Sequence, residues 1–147
     1  MILSDKTNKF VTDTETFCNK YNLLRASDII VGLSGGPDST ALLFVLNEIC
    51  TKRNIKLHAI HINHMLRGSE ADSDELLSKN ISATLEIDFK AVKLDVKSYA
   101  EQEKISLETA GRKLRYKEFD LYSDEFKKNN PEAIVKIAVA HHANDLS

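Results

Sequence analysis

The sequence predicts an α/β fold, a parallel sheet in the order 3-2-1-4 with helices on both faces. Three observations carry that prediction. Short apolar, β-branched runs alternate with helix-length stretches from residue 28 onward, the pattern of right-handed βαβ units. The stretch between the third and fourth runs is long, so the chain returns to the far side of strand one. The first run leads straight into a glycine-rich turn, "SGGPDS" at 34–39. In such sheets ligands bind beyond the carboxyl ends of the strands, where the strand order reverses. Here that point lies between strands one and four.

Each element follows in order. Residues 6–24 place Phe10, Phe17 and Leu24 seven apart, with Val11 and Tyr21 nearby, which predicts a leading amphipathic helix. "DIIVGL" (28–33) reads as a strand buried on both faces. "STALLFVLNEIC" (39–50) is apolar almost all round, as a helix packed deep against a sheet should be. "IKLHAIHIN" (55–63) alternates and reads as strand two. A helix over 69–86 opens with Ser69 and Asp72 in capping-box-like spacing and acids in its first turn. "FKAVKLD" (89–95) is strand three, and "VKSYAEQEK" a short helix after it. Ser106 caps a long helix over 107–128, with Leu107, Ala110, Leu114, Leu121 and Phe126 as its apolar positions. "AIVKIAVAHH" (133–142) is strand four. "ANDLS" then resembles the first turn of another helix, which predicts that the sequence is a partial domain.

Composition narrows the function classes. The 147 residues are 42% hydrophobic and 29% charged, an ordinary globular balance with a core that buries about 70% of the unfolded surface. Twenty basic residues against 22 acidic ones leave a net charge of −2, so no global basic field points to nucleic acid. No apolar run reaches membrane-spanning length. The opening "MILSDKTNKF" lacks the apolar stretch of a signal peptide, so a cytoplasmic location is expected. Cys18 and Cys50 lie far apart without a C-x-x-C pair, and are expected to be buried small hydrophobes.

Three of the five glycines, Gly32, Gly35 and Gly36, fall at the end of strand one. A tight turn with helix-capping polar residues is one reading. The other is a phosphate nest, in which successive backbone N–H groups and the helix N-terminus attract anionic oxygens. Ser34, Ser39 and Thr40 offer hydroxyls, and Pro37 suits the first turn of a helix. Asp38 would repel phosphate unless Mg²⁺ lay between them. The Walker pattern fails for lack of a lysine, and the G-x-G-x-x-G spacing is absent. Pro-Asp-Ser after the glycines, at a strand's carboxyl end, favours phosphate.

"SGGPDS" resembles the pyrophosphate-binding loop of the N-type ATP pyrophosphatases, the PP-loop superfamily with its adenine nucleotide α-hydrolase-like fold. Within it, "HINHMLRGSEADSDE" (61–75), "SLETAGRKLRYKEF" (106–119) and "AHHANDLS" (140–147) are similar to the tRNA(Ile)-lysidine synthetases. Order and spacing match across residues 28–147, so 1–147 is expected to be an ATP-binding domain without the family's tRNA-binding C-terminal domains. The resemblance implies a two-step ligation. ATP adenylates the C2 oxygen of the wobble cytidine, and the ε-amine of free lysine displaces AMP to give lysidine.

The resemblance also assigns residues. Ser34, Gly35, Gly36, Pro37, Asp38 and Ser39 would bind ATP. Asp38 and Asp145 would share Mg²⁺. Read from the residues themselves, His142 is a catalytic candidate because its loop faces the glycine turn, and Asp38, Arg112 and Arg115 are catalytic candidates with it. Asn144 stands where many members carry Asp. Arg67 is a candidate for organising substrate or loop. Arg112 and Arg115, three apart, share one helix side suited to phosphate, although such charge runs also occur on solvated faces. Gly111 within a helix suggests close approach of a neighbouring backbone or ligand. His61, His64, His141 and His142 are three apart or adjacent in an extended stretch, which turns them to opposite faces and argues against zinc. The implied partners are tRNA(Ile) and free L-lysine, with no membrane and a homodimer left open. The 147 residues alone are expected not to modify tRNA. Two other readings remain open: a PP-loop tRNA thiolase, and a non-catalytic ATP-binding module. Cys50 lies about 16 Å along the helix from Ser39, which counts against thiolation.

Overall fold

The computed structural model describes residues 12, 13, 16, 18, 19, 23–66 and 68–140. Four parallel strands form one sheet: β1 (Asp28–Leu33), β2 (Lys56–Asn63), β3 (Asp88–Lys93) and β4 (Val135–Val139). Their order is β3-β2-β1-β4, as the chain's long final crossover requires. Helix α1 (Pro37–Arg53) follows β1, and α2 (Ser69–Thr84) follows β2. Helices α3 (Val96–Glu103) and α4 (Leu107–Asn129) both lie between β3 and β4.

The two faces of the sheet bury different sets of residues. Ile29, Val31, Leu33, Leu57 and Ala59 pack with Leu43, Leu46 and Cys50 of α1. Ile30 and Ile60 pack with Phe119 and Tyr122 of α4 on the opposite face. Strand β1 is therefore sandwiched, which explains its unbroken apolar run. Gly32 is part of that packing, because a methyl there would stand 2.9 Å from Val139 Cγ1 and 3.0 Å from Phe119 Cζ.

Several local expectations are corrected. The capping box at Ser69 does not form: Gly68 is the N-cap, without a side-chain cap. Asp72 instead accepts a hydrogen bond from Asn63 Nδ2 at 3.1 Å. Ser106 does cap α4, accepting from the Thr109 N–H at 3.1 Å. Along α4, Leu107 and Leu121 are exposed, and Ala110, Phe119 and Tyr122 make the buried stripe. Leu94 and Asp95 fall beyond β3, where Asp95 caps α3 by accepting from the Ser98 N–H. Strand β4 spans only Val135–Val139, and residues 141 and 142 lie outside the described residues. In the leading segment the described residues Thr12, Asp13, Thr16, Cys18 and Asn19 are helical. Leu24 belongs to a 3₁₀ turn, Leu23–Arg25, and the rest of that expected helix lies outside the described residues.

Strand β2 does not alternate between core and solvent; both of its histidines are buried. His58 Nε2 faces Asp28 Oδ1 at 2.8 Å, and His58 Nδ1 faces Asp88 Oδ2 at 3.1 Å. Phe126 lies over the ring with centroids 4.0 Å apart. This cluster belongs to the amino ends of the strands, opposite the glycine turn.

Candidate functional site

The glycine turn leaves β1 at Leu33 and enters α1 at Pro37, the first helical position, with Gly36 as N-cap. Gly35 has φ +86, a conformation that disfavours a side chain. A β-carbon there would also stand 2.6 Å from Asp74 Cβ and 2.8 Å from Asp74 Cγ. Helix α2 thus lies directly against the loop. The loop's hydroxyls fold back on its own backbone. Ser39 Oγ accepts from the Ser34 N–H at 3.0 Å, and Ser34 Oγ accepts from the Gly36 N–H at 3.2 Å. Thr40 Oγ1 donates to Gly36 O at 2.9 Å.

Beside this loop a cavity of about 310 Å³ opens at the carboxyl ends of β1, β2 and β4. Ser34 and Ser39 line it, together with His61, Asn63, His64, Asp74 and Arg115. Ile60, Ile62, Phe119 and Val139 supply apolar wall. The chemistry is that of a mixed ligand: hydroxyls and a guanidinium for anionic oxygens, apolar surface for a flat or hydrocarbon part.

Among the residues singled out from the sequence, the structure brings Ser34, Ser39 and Arg115 to one cavity. Gly35, Gly36 and Pro37 form the adjoining turn, and Asp38 is exposed in the first turn of α1. Arg112 is exposed and does not line the cavity, although it shares α4 with Arg115. Arg115 Cζ lies 5.4 Å from the Tyr116 ring centroid, and its Nε is buried without a hydrogen-bond partner. Asp145, His142, His141, Asn144 and Arg67 lie outside the described residues.

His61, His64, Asn63 and Asp74 are cavity residues that the motif reading did not assign. His61 and His64 both reach the cavity despite their spacing, because β2 ends at Asn63 and His64 is freed from strand alternation. Burial, then the Arg115 guanidinium and His61, hold the His64 imidazole below its usual value of 6.5. The close neighbour of Gly111 is this same ring: a methyl on Gly111 would meet His64 Cε1 at 3.4 Å, an ordinary contact. A side chain, rather than a backbone, occupies that approach.

Cys18 and Cys50 are both buried, and neither is joined in a disulfide. Burial, reinforced by Cys18, pushes the Cys50 thiol from 9.0 to about 11. Among the described residues, no helix is long and apolar enough to cross a membrane.

A parallel sheet in the order 3-2-1-4, with a glycine turn at the carboxyl end of its first strand, is the arrangement of a PP-loop ATP-binding domain. Residues 5–147 match the PP-loop domain family, and the chain belongs to that family. Its curated relatives carry a more particular name. It is 44% identical over 128 residues to the tRNA(Ile)-lysidine synthase of Clostridium tetani, covering 86% of this chain and 26% of that protein. It is 38% identical over 149 residues to the synthase of Petrotoga mobilis, covering 99% of this chain and 44% of that protein. The chain therefore spans about a quarter to under a half of these relatives' length. Among solved structures, the U34-tRNA thiolase NcsA from Methanococcus maripaludis matches with a TM-score of 0.61 at 24% identity. That match covers 80% of this chain and 39% of the thiolase. The NH3-dependent NAD synthetase from Campylobacter jejuni matches with a TM-score of 0.55 at 18% identity, over 92% of this chain and 56% of that one. Both share the fold.

Proposed function

We propose that this chain is the ATP-binding, adenylating part of a tRNA(Ile)-lysidine synthase. The carrying observation is that Ser34, Ser39 and Arg115 converge on one cavity at the carboxyl ends of β1, β2 and β4. The identity to named synthases supports the substrate choice.

In this reading the 34–39 turn holds the β- and γ-phosphates, with the N-terminus of α1 adding its dipole. Arg115 neutralises charge that develops around the α-phosphate. The wobble cytidine's C2 oxygen attacks the α-phosphorus, the α–β bridging bond breaks, and pyrophosphate leaves. The ε-amine of free lysine then attacks C2, the C2–O bond breaks, AMP departs and the amine's proton is released. Asp38 and Asp145 would hold Mg²⁺, which supplies charge neutralisation to the phosphates when bound; Asp38 fits as a hard oxygen donor at the loop's edge. Arg112 and His142 stand as further catalytic candidates, and Pro37, Gly35 and Gly36 as the phosphate cradle. The partners are tRNA(Ile) and L-lysine, in the cytoplasm. The buried Cys50, in the core and raised to about 11, weighs against a thiolase, whose chemistry calls for a reactive sulfur.

The test is pyrophosphate release in a protein that joins these residues to the remaining length of the relatives. Release should depend on both ATP and a CAU-anticodon tRNA(Ile), and lysine should appear in that tRNA. Asp38→Asn and Asp145→Asn should suppress release more than stability. ATP binding without tRNA-dependent pyrophosphate would identify a nucleotide-binding module instead.

A further inference from the structure

We propose that His61 is a positioning residue that sets the phosphate selectivity of the glycine turn, an inference that rests on the ATP reading. Its Nδ1 lies 2.7 Å from the carbonyl oxygen of Leu33, the last residue of β1 before the turn. A carbonyl only accepts, so Nδ1 carries the hydrogen and donates it. The bond crosses from β2 to the root of the loop and lies within the core, His61 being only 3% exposed. His61 Nε2 is buried without a partner. An aliphatic side chain would fill the same space without stranding a polar atom, so the Nδ1 donor is the property that distinguishes histidine here.

A second brace acts on the same loop from α2. Asp74 packs against Gly35, and Ser78 Oγ donates to the Asp74 carbonyl at 2.8 Å while standing 3.5 Å from His61 Nδ1. Leu33 and Gly35 are thus held from two sides, two residues apart. That pair of contacts bears on the turn together with its internal bonds, in which the Gly36 N–H donates to Ser34 Oγ at 3.2 Å. Losing the bond at Leu33 lets the turn rotate without touching the apolar wall of the cavity. Affinity for the phosphates should fall while affinity for the nucleoside part persists.

Two amide substitutions separate this role from a merely structural one. His61→Asn places its amide near the position of Nδ1 and keeps a donor to Leu33. His61→Gln places it near the position of Nε2 and withdraws that donor. The 147-residue chain and both variants would be titrated with Mg·ATP and with adenosine, with thermal melting of each chain alongside. The expected result is a roughly tenfold loss of ATP affinity in His61→Gln, from loss of ordered phosphate donors. Adenosine affinity should be unchanged in that variant, and His61→Asn should keep the native ATP-to-adenosine ratio. An unchanged ratio in His61→Gln would overturn the proposal, as would parallel loss of both ligands. If the native chain itself binds ATP no better than adenosine, the phosphate-loop reading fails, which is a different result.

Discussion

The β-carbon that an alanine would bring to position 35 falls 2.6 Å from Asp74 Cβ, so Asp74 leaves no room for a side chain at Gly35 unless one of them shifts. With φ at +86, the position also disfavours any L side chain. Gly35→Ala is therefore expected to destabilise the chain by about 1–2 kcal/mol from backbone conformation alone, with overlap adding to it. ATP affinity should fall further than the melting temperature suggests, since the turn itself is displaced. Melting curves and ATP titrations on the same samples check this; an alanine variant with native ATP affinity would refute the packing argument.

Arg115 and Arg112 should differ. Only Arg115 lines the cavity, and it approaches with a buried Nε. Arg115→Ala is expected to weaken ATP binding by about 1.5–3 kcal/mol, the range for a charged hydrogen bond. Arg112→Ala should cost less. Equal losses in isothermal titration would show that α4 presents both guanidiniums to the nucleotide.

His64 gives a pH signature. Its folded value is held below 6.5 by burial, by Arg115 and by His61. The unfolded ring therefore takes up a proton before the folded ring does. Its contribution to stability is complete above 6.5 and is lost as pH falls through 6.5 toward the depressed folded value. Arg115→Gln removes one cause, so the His64 midpoint should rise toward 6.5 in an NMR titration of the imidazole protons. A midpoint unmoved by that substitution would separate the two side chains.

The alkaline limb should report the burial of Cys50 in α1 and of Tyr122 in α4. Cys50 is raised to about 11 by burial and Cys18, and Tyr122 to about 12 by burial, then Asp88 and Glu125. Both groups ionise later in the folded chain than in the unfolded one, so stability is full below about 9 and declines as pH climbs toward the folded values. Native thiols should resist alkylation at pH 8, and a Cys18→Ala, Cys50→Ala variant should bind ATP as the native chain does. Rapid native labelling of Cys50 would contradict its burial.

The fold and the turn were legible in the sequence because period and punctuation carried them. Unbroken apolar runs marked buried parallel strands, and two glycines before proline marked the loop. The buried polar contacts were not legible. Nothing local to His58 announces a ring between Asp28 and Asp88, because those partners are 30 residues away on either side. His61 was hidden likewise, since its partner is the backbone carbonyl of Leu33, and a carbonyl leaves no mark in sequence. His64 escapes the alternation of β2 because the strand ends one residue before it, at Asn63. Leu107 and Leu121 misled because apolar character does not say which side of α4 meets the sheet; Phe119 and Tyr122 on the opposite set do.

The most direct test of the account is an NMR titration of the isotope-labelled chain with Mg·ATP, following backbone amides and the arginine Nε–H groups. The largest shifts are expected at Gly35, Gly36 and Ser39, with Arg115 Nε–H moving in parallel and Asp28, His58 and Asp88 unaffected at the opposite end of the sheet. Shifts confined to residues away from the glycine turn, or none at millimolar nucleotide, would contradict it.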